Sequence, residues 1–263
     1  MNRIESFMKN CHLNYITAGA LALVLSFASC QKTFAYDLAW PQPTPPPGTN
    51  PATFPAPRLD WLGHFLKNID MTKGQQVDLI FDGDSITDFW QGRGKAIWEQ
   101  HYGALHAADL GISGDQVQHV LWRIENGQLE GLQPKLVVLM IGTNNMPGTS
   151  FTSAQIAEGI KVLVAEYEKR CPTAHILLLG IFPRAELPTD PLRAKIADTN
   201  AEIAKLDDGK TVTYLNFNDK LLQPDGTLSK DIMPDLLHPS EKGYQIWADA
   251  IQPIVDKYCP KAP

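Results

Sequence analysis

The run 136-LVVLMIG-142 restricts this chain's fold more than any other segment. It has no polar/apolar alternation and is too short for a stable helix, so it reads as a strand buried on both faces. Such strands belong to parallel sheets covered by helices on either side. Four further runs have strand character: 77-VDLIF-81, 107-AADLG-111, 175-HILLLGIF-182 and 211-TVTYLNF-217. Helical periodicity falls between and after them, at 95–101, 116–126, 153–170, 192–206 and 240–258. Strands alternating with helices predict an α/β fold, a five-stranded parallel sheet in a three-layer sandwich, with no internal repeat.

In such a sheet, functional groups gather beyond the carboxyl ends of the strands. The residues found there are small and polar: Gly83-Asp84-Ser85, then 111-GISGD-115, 142-GTNN-145 and 183-PRAE-186. Before the last helix comes 234-PDLLHPSEKGY-244. Together they have the composition of an active-site rim. The first of these loops is ambiguous in isolation. Asp82 and Asp84 form a D-x-D, which would suit a carboxylate nucleophile in magnesium-dependent phosphoryl transfer. Ser85 offers a hydroxyl instead.

A serine hydroxyl attacks only when a base takes its proton, and the base works best when a third group fixes its tautomer. Asp235 and His238 are spaced so that the carboxylate can reach one ring nitrogen and leave the other for Ser85. A lone D-x-x-H is usually a surface coincidence; its position beside the expected rim is what singles out this one. An oxyanion also needs donors. The N–H of Ser85, the N–H of Gly114 and the side-chain amide of Asn144 are candidates, although each loop alone could be an ordinary turn or cap. The phosphoryl-transfer alternative lacks a lysine and a later acidic pair on the rim: Lys135 precedes a strand and 207-DD-208 ends a helix.

The ordered blocks 83-GDSI-86, 111-GISGD-115, 142-GTNN-145 and 235-DLLH-238 resemble those of the SGNH (GDSL) hydrolases. The resemblance extends to the catalytic subunits of the platelet-activating-factor acetylhydrolase Ib type through 110–145 and 180–193, covering nearly all of 75–258. It implies a flavodoxin-like architecture and an esterase using Ser85 as nucleophile, His238 as base and Asp235 as its orienter. It also implies an oxyanion hole at Ser85, Gly114 and Asn144, and no metal or organic cofactor. Ile86, Thr143 and Leu237 are expected to crowd the acyl group, favouring acetyl and other short chains. Many relatives carry Asp where Asn145 stands; the acetylhydrolase-like branch does not. A lysophospholipase or phospholipid acetylhydrolase is an alternative, and a non-catalytic envelope glycan-binding or scaffold module is another, since a fold hosts many functions.

The amino-terminal portion has a different character. Basic residues Arg3 and Lys9 precede 16-ITAGALALVLSFAS-29, an apolar segment of signal-peptide length. Residues 1–35 are therefore expected to be a leader, cut at small residues near Ala28/Ser29 or Ala35, or else at Cys30 with lipidation and a membrane tether. Residues 36–58, rich in proline, suit a stiff linker, leaving 59–263 as the hydrolase domain. Secretion or an envelope location follows, with O-acetylated glycan as the expected ester. A net charge of −6 disfavours nucleic acid or an anionic membrane as partner; a homodimer is allowed. Cys171 and Cys259 could bridge in an oxidising compartment, although separate thiols are the simpler expectation. Trp98, Trp122 and Trp247 have core spacing; His101, His106, His119 and His175 read as surface or helix-end residues. Arg184 could touch substrate or pair with Glu186.

Overall fold

The structure is a computed structural model, and it describes residues 44–261. The expected leader, including Cys30, lies outside the described residues. Five strands form one sheet: β1 (Leu79–Gly83), β2 (Ala107–Asp109), β3 (Leu136–Met140), β4 (His175–Leu179) and β5 (Val212–Leu215). All pairings are parallel, in the order β2-β1-β3-β4-β5. Strand order therefore reverses between β1 and β3, the crevice where open α/β sheets place their ligands.

The described helices are α1 (Leu62–Thr72), α2 (Ser85–Asp88), α3 (Lys95–His101), α4 (Val117–Glu125), α5 (Ser153–Arg170), α6 (Pro191–Ile203), α7 (Asn218–Leu221) and α8 (Glu241–Tyr258). The five long periodic segments are helical close to their expected bounds. Their ends carry the expected chemistry: Thr152 and Gln155 form a reciprocal capping box on α5, and Asp190 with Pro191 opens α6. α1 has no counterpart among the expected helices. Its apolar positions bury only Phe65 deeply, and Phe65 meets Trp122 edge-on at 5.3 Å.

Strand residues alternate between two cores. Ile80, Val137, Leu139, Ile176 and Leu178 point towards α4, α5 and α6, whereas Leu79, Phe81, Val138, Met140 and Leu177 point towards α3 and α8. The second core is strongly aromatic, with Phe81, Trp90, Trp98, Tyr102 and Trp247 packed ring against ring. Trp98 and Trp247 are thus core residues. Cys171 belongs to the first core and Cys259 to the second, both as free thiols. With the sheet between them, no bridge can close.

The expected linker behaves differently over its second half. Asn50 caps a turn at Pro51–Thr53 and donates its amide to the Gln155 carbonyl at 2.8 Å. Ala52 is fully buried, and a Cβ on Gly159 of α5 would come within 2.8 Å of it. Ala56 N–H bonds the Gln118 carbonyl at 3.1 Å. The linker expected over 36–58 is thus docked on α4 and α5 from Asn50, and the domain begins earlier than residue 59. Proline composition does not distinguish the two cases: a chain with preset φ serves equally as a spacer in solvent or as a ribbon on a surface.

Candidate active site

Ser85 opens α2 directly after β1, so its N–H has no intrahelical acceptor. Asp84 caps that helix, its Oδ1 accepting the Ile86 N–H at 3.0 Å. Gly83 is required by a close approach, since a Cβ there would collide with the Met140 carbonyl oxygen of β3. The hydroxyl of Ser85 faces His238 Nε2 at 2.8 Å, and His238 Nδ1 lies 2.9 Å from Asp235 Oδ2. The other carboxylate oxygen, Oδ1, accepts the N–H groups of Leu237 (3.2 Å) and His238 (2.7 Å). The three expected residues therefore form one continuous chain of hydrogen bonds.

Backbone geometry holds this late loop in place. Leu236 adopts φ +61°, and its carbonyl accepts the N–H of Ala185, itself at φ +65°. The loop after β4 is thereby tied to the loop carrying His238. Burial works to raise the Asp235 carboxyl, but the His238 N–H and ring outweigh it and hold the group at about 2. Asp235 is consequently ionised throughout the neutral range. Arg93 adds a contact that the sequence did not suggest: it reaches Asp235 Oδ2 at 3.3 Å and the His238 carbonyl at 3.5 Å. Its guanidinium also lies over Phe89, whose ring packs on His238 at 4.9 Å between centroids.

The expected oxyanion donors converge from the neighbouring loops. Gly114 has φ +82°, and a Cβ there would meet the Arg58 guanidinium at 2.7 Å. Its N–H engages no acceptor among the described residues. Arg58 fixes this loop by donating to the Ser113 carbonyl (2.7 Å) and to Asp115 (3.3 Å). Asn144 follows β3 and donates its amide to the Asp115 carbonyl at 2.9 Å. An amide nitrogen has two hydrogens, so this bond aims the group and leaves the second hydrogen free. Asn145 acts elsewhere, its buried side chain accepting the Val117 N–H at the start of α4 and donating to Gln118.

Of the residues expected around the acyl group, Ile86 and Thr143 are buried and Leu237 is partly buried. Ile86 and Leu237 join the same apolar cluster. Arg184 donates to the Thr143 carbonyl at 3.0 Å, so it braces the β3 loop and leaves Glu186 unpaired with it.

Asp82 is enclosed, with no exposure, and is held by Arg123 (2.9 Å), Gln128 (2.6 Å) and the Tyr167 hydroxyl. Arg123 continues to Asp115 at 2.8 Å and to the Leu110 carbonyl at 3.1 Å. Burial opposes the guanidinium's charge, but Asp82 and Asp115 on either side raise its pKa above the ordinary value. A carboxylate bound this way cannot attack a substrate. The D-x-D is thus one scaffold anchor and one helix cap. Of the histidines, His175 departs from expectation: it is buried at the start of β4, stacked on Tyr258 at 4.2 Å. His119 is a helix-end residue as expected, its ring accepting the Gln116 N–H.

Burial raises Asp84 to about 7; the Ile86 N–H and Arg184 act against that rise and Asp115 adds to it. In the unfolded chain an aspartate ionises near about 3.9. Between these values the folded protein holds a proton that the unfolded chain has released, so stability falls as pH rises through this window. Asp84→Asn removes that slope. Urea midpoints taken at pH 5 and pH 8 are expected to fall more for the wild type than for the variant; parallel changes would contradict the assignment.

A doubly wound parallel sheet with a serine, histidine and aspartate chained at its switch point has the arrangement of a serine-dependent hydrolase of α/β class. Residues 81–246 match the GDSL-like lipase/acylhydrolase family, and the chain belongs to that family. It is 37% identical over 204 residues to the platelet-activating factor acetylhydrolase IB subunit alpha1 of Rattus norvegicus, covering 75% of this chain and 85% of the relative. It is 35% identical over 204 residues to the alpha2 subunit from the same species, covering 74% and 86%. Among solved structures, a GDSL-like lipase from Bacteroides thetaiotaomicron superposes with a TM-score of 0.60 at 20% identity, covering 75% of this chain and 98% of that one. An acetylxylan esterase from Geobacillus stearothermophilus gives 0.53 at 22% identity, covering 68% and 94%. The protein is a carboxylic ester hydrolase.

Proposed function

We propose that the protein is an exported acetylesterase that removes acetyl or other short acyl groups from O-acetylated glycans. The observation that carries the catalytic half is the unbroken chain from Ser85 Oγ through His238 to Asp235, at 2.8 and 2.9 Å. In this reading Ser85 Oγ bonds to the ester carbonyl carbon while His238 Nε2 takes its proton. The tetrahedral oxyanion is held by the N–H groups of Ser85 and Gly114 and the Asn144 amide. The intermediate collapses as His238 returns the proton to the leaving alcohol. Water, deprotonated by the same ring, then releases the acid from the acyl-enzyme. The residues present need no metal for these steps, because the nucleophile, base and oxyanion donors are all side chains or backbone of this chain.

Preference for acetyl rests on Ile86 and Thr143, the buried residues that follow Ser85 and precede Asn144 in the chain, and is consistent with relatives named acetylhydrolases. Export rests on the apolar segment 16–29, and an extracellular acetylesterase would meet glycans before phospholipids. Acetate release from acetylated xylan, acetylated sialic acid and an acetylated lysophospholipid, assayed in parallel, tests the alcohol half. The glycan substrates are expected to be the better ones; release from the lipid alone would replace this reading with a phospholipid acetylhydrolase.

Asn144→Ala is expected to lower kcat by about 10²–10³ with little change in KM, the usual effect of losing one oxyanion donor. An unchanged kcat on p-nitrophenyl acetate would take Asn144 out of the mechanism.

A further inference from the structure

A second cavity, of about 620 Å³, lies at the far edge of the sheet, bounded by Pro183, Pro188, Ala197, Ala201, Tyr214 and Asn216. One end of it reaches the carboxyl edge that carries Ser85, where Pro183 follows β4 and Asn216 follows β5, and from there it runs along α6 to Ala204. The two sites share a wall: Pro183 precedes Arg184, whose guanidinium braces the Thr143 carbonyl, and Ala185 bonds the loop that carries His238. From β1 to β5 is three strand spacings, roughly 14 Å. That is beyond one acetyl ester and within reach of a short sugar chain.

The hydrogen-bonding groups of the lining are uncharged apart from one cation, Arg193. Arg193 directs two of its five N–H donors to the carbonyls of Ala185 and Gly226, and no carboxylate contributes to the wall. Asn216 accepts the Asn218 N–H through Oδ1, leaving its amide nitrogen. The Tyr214 hydroxyl and Asn218 Oδ1 are fully enclosed, and the Asn216 side chain acts on the Tyr214 oxygen, so exposed Asn216 is the polar group of this cluster that a ligand can reach. Gly180 makes room for this cluster, because a Cβ there would come within 2.9 Å of the Tyr214 hydroxyl. Flat apolar faces complete the wall, from the two prolines and the exposed alanines of α6. Uncharged donors and acceptors among small apolar faces suit a neutral, hydroxyl-rich ligand. A lipid tail would leave the Asn216 amide unsatisfied, and a polyanion would find a single cation in the wall.

We infer that this cavity is a remote subsite for the neutral oligosaccharide chain whose ester is cut at Ser85, an inference that rests on the glycan reading above. It holds the carbohydrate while the acetylated unit lies at the serine.

The test uses the full chain and sugars that cannot react. Xylohexaose, cellohexaose and, as a charged control, hexagalacturonate are titrated calorimetrically into the wild type, Ala201→Trp, Asn216→Ala and Asp198→Asn. At least one neutral hexasaccharide is expected to bind. Ala201→Trp, which fills the cavity, and Asn216→Ala are each expected to weaken it by about tenfold, the loss typical of a contact of this kind. Asp198→Asn, exposed on the same helix, is expected to bind as the wild type does. Circular dichroism melts establish that the variants are folded. Binding of no neutral sugar, of the uronate alone, or equally by wild type and both cavity variants would overturn the inference. So would sedimentation showing that Ala201→Trp splits a dimer, which would make the cavity a subunit interface. Absence of acetate release from every glycan would sink the substrate reading without altering these binding results, so the two failures are distinguishable.

Discussion

Ser85→Ala is expected to slow hydrolysis of p-nitrophenyl acetate by about 10⁴-fold or more, the scale on which removal of a triad nucleophile acts. The reason is specific to this geometry. Alanine leaves the N–H at the start of α2, the Gly114 loop and the Asn144 amide in place, so ester binding and oxyanion contacts persist. What disappears is the one oxygen that His238 Nε2 faces at 2.8 Å. KM is therefore expected to change little while kcat collapses. The comparison also separates the esterase from a binding module: wild type and variant equally inert across short-chain esters would end the enzymatic reading.

The largest effect on stability is expected at Arg123, 3% exposed. Its guanidinium stands between Asp82 and Asp115, at 2.9 and 2.8 Å, and also reaches the Leu110 carbonyl. Arg123→Ala leaves Asp82 without a cation and Asp115 with Arg58 alone, and breaking a buried pair in this way costs about 3–5 kcal/mol. For a domain of this size each kcal/mol moves Tm by about 2–4 °C, so a fall of about 10 °C is expected. Thermal melts followed by circular dichroism measure it. Asp115 carries the Gly114 loop, so activity should fall below the melting range as well. A variant that melts within two or three degrees of the wild type would show that the network contributes little. Arg123→Met, similar in volume but uncharged, should not restore the loss, because Asp82 stays without a cation.

Much of this arrangement was legible in the linear chain. The five strand runs and five long helices follow from hydrophobic periodicity and caps, because a residue's burial in this sheet depends mainly on its own position along an element. Ser85, Gly114 and Asn144 were found because a parallel sheet delivers the residues after its strands to one edge, whereas Asp235 and His238 were found by their spacing before the last helix and by the family's ordered blocks. α1 was not among the expected helices although its apolar residues share one face; it rests on the core with Phe65 as its one deeply buried large side chain. Arg93 and Arg184 escaped as functional supports. Each acts by touching a backbone or a carboxylate far away in sequence, and an arginine's long reach has no periodic signature.

Arg123 could have been suspected. It lies three residues after the buried Val120, on the apolar stripe of α4 where a charge needs a partner. Even so, nothing in the sequence identifies Asp82, forty-one residues earlier, as that partner. The proline-rich 50–58 stretch makes the same point in reverse, since its composition suits solvent and its packing depends on Gly159 presenting a flat helix face to Ala52.

Element order, strand direction and the edge on which the chemistry gathers thus came from local pattern, because periodicity is a property of neighbouring residues. Asp235 was already expected to orient the histidine, but which groups hold Asp82, and how strongly burial acts on Asp84, was settled only when the chain closed on itself. Asp82, Asp84 and Asp235 are the same chemical group. One is a scaffold ion, one a helix cap held near neutrality and one a carboxylate held ionised, because burial and partners, not residue type, set the charge each one carries.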